Sequence, residues 1–76
     1  MKKIENSECL VRFGRFIKDG RKQRDLLQEE VADMVGITQS YYSLIERGKR
    51  EVDLVLAMRI CQKLRLDISD YIKDYL

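Results

Sequence analysis

QEEVADMVGITQSYYSLIER, residues 28–47, holds two short amphipathic segments joined by a tight turn. Val31, Ala32 and Val35 recur at helical spacing over residues 28–35, and Glu29 and Glu30 sit in the first turn, where acids complement the helix dipole. Gly36 follows as the residue that accepts a left-handed backbone, and Thr38 is a helix N-cap ahead of residues 39–47. Ala32 is small where two helices must approach closely. Ile37, Tyr42 and Ile45 supply the apolar inner face of the second segment. Counted from Val31, the key positions fall at +1, +4, +5, +6 and +14, which is helix-turn-helix spacing. In that arrangement the second helix lies in the DNA major groove.

With Tyr42 and Ile45 turned inward, Gln39, Ser40, Ser43, Leu44 and Arg47 point out. Gln pairs bidentately with adenine, Ser contacts several base edges, and Leu meets a thymine methyl. Gln39, Ser40, Ser43 and Leu44 are therefore the expected base contacts. Gln28, Thr38, Arg47, Lys49 and Arg50 are the expected contacts to the DNA backbone. The bland alternative is a small bundle whose polar helix face meets only water. A glycine between short helices is weak evidence against it. Ala, Gly and aliphatic positions in register, followed by a basic cluster, are stronger.

Outward from this unit the periodicity stays helical, and no stretch alternates as a strand would. A first helix is expected over residues 9–24, with Leu10, Phe13 and Ile17 inward and Val11 and Phe16 widening the stripe. Gly20 falls on that stripe and is read as permitting close packing; Asp25 is the stop. A fourth helix over residues 53–64 starts at the N-cap Asp53, with Leu54, Ala57, Met58, Cys61 and Leu64 as its inward stripe. A fifth covers residues 68–75 after Asp67. The expected architecture is all-α, five helices in one domain spanning residues 1–76.

The composition excludes several other classes. Seventy-six residues without histidine leave no histidine-based catalysis or histidine metal site. A chain of this size buries only about 60–65% of its unfolded surface, so a deep substrate cavity is not expected. No paired carboxylates or phosphate loop present a catalytic set; no enzyme activity, metal, cofactor or small-molecule ligand is expected. Cys9 and Cys61 match no metal or redox spacing and are read as small hydrophobes in a reducing compartment, with a disulfide as the alternative. The longest apolar run, residues 54–58, is too short to span a bilayer, and Glu5 and Glu8 interrupt any leader-like start. A cytoplasmic location and no membrane partner are expected. The net charge of +2 is segmented: residues 1–24 and 37–50 are basic, and residues 25–36 hold four acids and no base. A mixed helix face explains that pattern as well as a polyanion site does.

Gln28-Glu29-Glu30-Val31-Ala32, Val35-Gly36-Ile37-Thr38-Gln39-Ser40 and Ile45-Glu46-Arg47-Gly48-Lys49-Arg50 together resemble the lambda repressor/Cro family, the XRE-type regulators. Gly14 and Arg21 also fall where the family has Gly and Arg, and the resemblance runs from Phe13 to Tyr71. It implies a five-helix lambda-repressor-like fold and dimeric binding to operator DNA. It places Gln39 and Ser40 at a base-contacting Gln–Ser pair, and Gln28 at a glutamine that supports a phosphate contact. It also implies an internal salt bridge between Arg21 and Glu46; a solvated or phosphate-facing Arg21 is the alternative. Five positions depart from the pattern. Leu27 replaces the Ser or Thr N-cap, Gly20 a core aliphatic, Asp25 a Gly and Val52 a Pro. Tyr42 stands where Ile or Val is usual, so its hydroxyl must find a partner or reach the surface.

Val52, Val55 and Leu56, off the expected inward stripe of the fourth helix, and Tyr71, Ile72, Tyr75 and Leu76 form the expected dimer interface, because contiguous exposed apolar surface marks an interface. The alternative is that the C-terminal residues cover the bundle's own core. The sequence thus points to a sequence-specific regulator of transcription, expected to be a repressor. It would bind double-stranded DNA as a homodimer at a pseudo-palindromic operator and block RNA polymerase or touch it. At this length no room is expected for a ligand-binding domain. The other reading is a protein-interaction module, an antitoxin or anti-repressor with a toxin-like or other protein partner.

Overall fold

Gln28–Val35 and Gln39–Glu46 are two eight-residue helices, separated only by residues 36–38. They are α2 and α3 of a five-helix chain in which α1 spans Asn6–Gln23, α4 Leu54–Lys63 and α5 Ser69–Ile72. The computed structural model describes residues 6–73, and no strand occurs among them. Tyr75 and Leu76 of the expected interface lie outside the described residues. α1 starts three residues earlier than expected and ends one earlier, α3 stops at Glu46, α4 is one residue shorter at each end, and α5 is a single turn.

The helix ends share one device. After α1, α2, α3 and α4 a residue with positive φ reverses the chain: Asp25 (55°), Gly36 (79°), Gly48 (68°) and Arg65 (55°). Each reversal carries the same two bonds. At α2 the Gly36 N–H donates to the Asp33 carbonyl (3.3 Å) and the Ile37 N–H to the Ala32 carbonyl (3.0 Å). This double bond satisfies carbonyls that a helix end otherwise leaves open. At the other ends, Thr38 Oγ1 accepts from the Tyr41 N–H and an Asp53 carboxylate oxygen from the Leu56 N–H. Leu27 has no side-chain oxygen to offer α2. Only the reciprocal half of a capping box forms, the Leu27 N–H donating to Glu30 Oε1 at 2.8 Å.

One core joins α1 to α4. Ile17, Val31, Tyr42, Ile45, Ile60 and Leu64 are its largest fully enclosed side chains. Two glycines of α1 mark close approaches. A methyl at Gly14 would overlap the carbonyl oxygens of Ile45 and Glu46, so the α1 backbone lies directly against the end of α3. A methyl at Gly20 would meet the Leu66 side chain at 2.6–3.0 Å: the aliphatic bulk missing from α1 is supplied from the α4–α5 connection.

The expected face of α4 requires correction. Its inward stripe is Leu56, Ala57, Ile60, Cys61 and Leu64, while Leu54, Val55 and Met58 are 71%, 65% and 57% exposed. Leu56 is therefore a core residue and not part of an exposed interface; it pairs with Ile60 at +4 and Leu64 at +8. Burial pushes the Cys61 thiol up to about 11, as suits an inert core cysteine. Tyr71 is half-buried. Its ring stands edge-on to Phe13 and tilted against Phe16, each at 5.6 Å, and its hydroxyl donates to the Cys9 carbonyl at 2.9 Å. It fastens α5 to α1 and covers the bundle's own core. Val11, expected on the inward stripe, is half exposed and abuts Gly48. No helix among the described residues is long and apolar enough to cross a membrane.

Candidate nucleic-acid interface

α3 is fixed from its inner side. Tyr42 and Ile45 sit in the core, and Glu46, the last residue of the helix, is buried with them. At 100° per residue this fixes what remains outside. Gln39, Ser40 and Arg47 are exposed, and Ser43 and Leu44 half-buried. With Gln28 from the start of α2, these five line one open concavity of about 450 Å³. The four expected base contacts and two of the expected backbone contacts are thus brought together. The other three are not among its lining residues. Thr38 is exposed, its oxygen accepting the cap bond while its hydroxyl hydrogen stays free to donate. Lys49 and Arg50 lie in the connection after α3, exposed; neither they nor Arg47 form an ion pair among the described residues.

Beneath the concavity lies a buried charge cluster. Arg21 of α1 donates through Nε to Glu46 Oε2 (2.6 Å) and through Nη2 to Oε1 (3.1 Å), and its Nη1 reaches the Leu26 carbonyl at 2.8 Å. Gln28 Nε2 adds a bond to the same Glu46 Oε1 at 2.9 Å. One amide hydrogen of Gln28 thus holds α2 to α3, which positions the rest of that side chain at the concavity's edge. Burial raises the Glu46 carboxyl, but the hydrogen bonds from Arg21 and then Gln28 outweigh it and hold the group below the ordinary glutamate value. Tyr42 meets neither condition set by its hydroxyl. It is fully enclosed beside this cluster, and the oxygen makes no hydrogen bond of ordinary geometry. Burial first, then the close approach of the hydroxyl to the Glu46 carboxylate, as hydrogen-bond partner and as charge, drives its pKa far above the usual tyrosine value.

Sequence reading missed Tyr41. Its ring carries the Arg50 guanidinium, Cζ 5.0 Å from the ring centroid. It also missed Arg24, which donates to the Gly20 carbonyl (3.0 Å) and across the fold to that of Arg65 (3.1 Å). Neither the Tyr41–Arg50 nor the Arg24–Arg65 contact follows a local spacing rule: the first joins α3 to the loop after it, the second joins the turns that follow α1 and α4.

The sequence matches the family described as Helix-turn-helix over residues 17–71. It is similar to the control protein C.MunI of Mycoplasma sp, with 40% identity over 69 residues that make up 90% of this chain and 93% of that protein. Among solved structures it is similar to the restriction-modification controller protein C.AhdI from Aeromonas hydrophila. That match has a TM-score of 0.75 and 32% identity and covers 82% of this chain and 94% of the other. The clp gene regulator ClgR from Corynebacterium glutamicum superposes with a TM-score of 0.81 over 87% of this chain and 70% of its own, at 23% identity, a likeness of fold alone.

Proposed function

This chain belongs to the helix-turn-helix family, and we propose that it is a sequence-specific regulator of transcription that docks α3 in the major groove of double-stranded DNA. The observation that carries this reading is the convergence of Gln28, Gln39, Ser40, Ser43, Leu44 and Arg47 on one open concavity, with Lys49 and Arg50 following in the chain and none of the three cations paired with a carboxylate among the described residues. Gln39, Ser40, Ser43 and Leu44 read bases; Gln28, Thr38, Arg47, Lys49 and Arg50 hold phosphates. The protein binds rather than catalyses. It acts in the cytoplasm as a repressor, through occupancy that excludes RNA polymerase.

A single α3 reads only a few base pairs, so a homodimer is part of the reading. Two-fold symmetry sets two recognition helices about 34 Å apart and matches a pseudo-palindromic site. Of the expected interface, Val55 and Ile72 remain exposed and Val52 half-buried; Leu54 and Met58 adjoin Val55 on the outer face of α4. Selection of bound duplexes from a random pool tests the proposal: two half-sites one helical turn apart are expected, and absence of enrichment overturns it. Sedimentation checks the dimer, which a strict monomer with and without DNA would contradict.

The exposed Leu54, Val55 and Met58 also favour a second reading, a module whose main partner is another protein such as a toxin. Selection without enrichment, together with a stable protein complex built on this face, would favour it over DNA binding.

A further inference from the structure

We propose that Tyr41 is a positioning residue for Arg50, holding its guanidinium beside the recognition helix so that the charge meets the DNA backbone from a preset place. The inference rests on the DNA-binding reading above. Tyr41 is suited to this by how it is held. It is half-buried against the core, and its backbone N–H is fixed by the Thr38 cap. Together with Ile37, Leu54, Val55 and Arg59 it borders a concavity between the helix-turn-helix turn and the start of α4. The ring is therefore a fixed platform.

Arg50 needs such a platform. The Lys49 N–H is still tied back to the Leu44 carbonyl at 2.9 Å, but no backbone hydrogen bond is formed by residues 50–52 among the described residues. Among the described residues no carboxylate pairs with the Arg50 side chain, which is exposed. The contact with Tyr41, 5.0 Å from Cζ to centroid, is thus what orders the guanidinium. A cation over a ring face is attracted by the ring quadrupole, and its in-plane N–H donors stay open to a phosphate oxygen. Ordering the side chain before DNA arrives removes part of the entropy lost on binding. Arg47 and Lys49, the other two cations of this segment, have no aromatic partner among the described residues.

The test uses fluorescence anisotropy on two labelled duplexes, one enriched from the random pool and one of scrambled sequence, over a range of salt. Tyr41→Leu is expected to weaken both duplexes equally, about two- to fivefold, the loss of an exposed cation–π contact. The salt slope should stay unchanged, because the Arg50 charge remains. Tyr41→Phe keeps the ring face and should bind as the unaltered protein does. Arg50→Ala should weaken both duplexes and reduce the slope by about 1. In the Arg50→Ala background, Tyr41→Leu should then add almost nothing. Tyr41→Met gives the same comparison if the Leu variant does not fold. Losses that add across the double variant, a Phe variant as weak as Leu, or a loss confined to the enriched duplex would each overturn the role of Tyr41 while leaving DNA binding intact. Failure of the unaltered protein to bind either duplex would overturn the DNA-binding reading itself.

Discussion

Arg21 and Glu46 face each other in the interior as a two-point pair, Nε to Oε2 at 2.6 Å and Nη2 to Oε1 at 3.1 Å, joining α1 to the last residue of α3. Breaking such a pair leaves one charge buried and uncompensated. Glu46→Gln is expected to lower the unfolding free energy by about 3–5 kcal/mol, a large share of what a small domain has. The acid limb of stability should change as well. The folded Glu46 carboxyl lies below its unfolded value of 4.5, so its stabilisation is complete above about pH 4.5 and is lost as the pH falls through the lower folded value. Urea titrations at pH 7, 5, 4 and 3 should show a constant gap between the unaltered protein and Glu46→Gln at the upper pH values, and a narrowing one below.

Tyr42 is the counterexample beside that pair, a fully buried hydroxyl that lies near the Glu46 carboxylate but makes no hydrogen bond of ordinary geometry among the described residues. An unsatisfied buried polar group costs about 1–3 kcal/mol, so Tyr42→Phe, which removes only that oxygen, should raise stability by about 1 kcal/mol. Thermal melting decides it. A lower melting temperature would mean that the hydroxyl serves as a donor to the Glu46 carboxylate.

α2 lacks the side-chain cap that Thr38 gives α3 and Asp53 gives α4. Leu27 is 65% exposed, so replacing it removes little packing, and Glu30 already makes the other half of a capping box. Leu27→Ser should stabilise the protein by about 1 kcal/mol and Thr38→Ala destabilise it by a similar amount. Denaturant midpoints with unchanged slopes are the measurement.

Three of the four chain reversals were legible in the sequence, because Gly36, Gly48 and Asp25 are residue types that tolerate positive φ. Arg65 was not, since nothing in its chemistry favours that conformation. It is held there by the 2.8 Å bond from the Leu66 N–H to the Cys61 carbonyl and by the seat of Leu66 over Gly20. Replacement by glycine should relieve the strain: Arg65→Gly is expected to raise the melting temperature by a few degrees, corresponding to about 0.5–1 kcal/mol. The face of α4 was illegible for a different reason. Residues 54–58 are all apolar, so periodicity there selects no side, and packing against α2 makes Leu56 the inward residue. On α3 Tyr42 and Ile45 mark the inner side three residues apart, and the set Gln39, Ser40, Ser43, Leu44 and Arg47 around the concavity followed from the sequence, whereas the burial of Glu46 came from the Arg21 partner. Contacts made through loops, Tyr41 with Arg50 and Arg24 with Arg65, have no such signature.

The proposed division of the interface into base-reading and phosphate-holding residues predicts two different kinds of loss. Gln39 is exposed at the first turn of α3, on the concavity's wall, where its amide can both donate and accept. Gln39→Ala should lower affinity for the enriched duplex by about 1–3 kcal/mol and leave scrambled DNA nearly unaffected. Lys49 is exposed just past α3 and has no ion pair among the described residues. Its charge is worth the same on any sequence. Lys49→Ala should therefore weaken both duplexes alike and reduce the salt slope by about 1, since one fewer phosphate is neutralised and fewer counterions are released. The two readouts are independent, because an uncharged amide contributes nothing to the slope and a phosphate contact nothing to discrimination. Equal losses for Gln39→Ala on both duplexes would show that α3 does not read bases at this position.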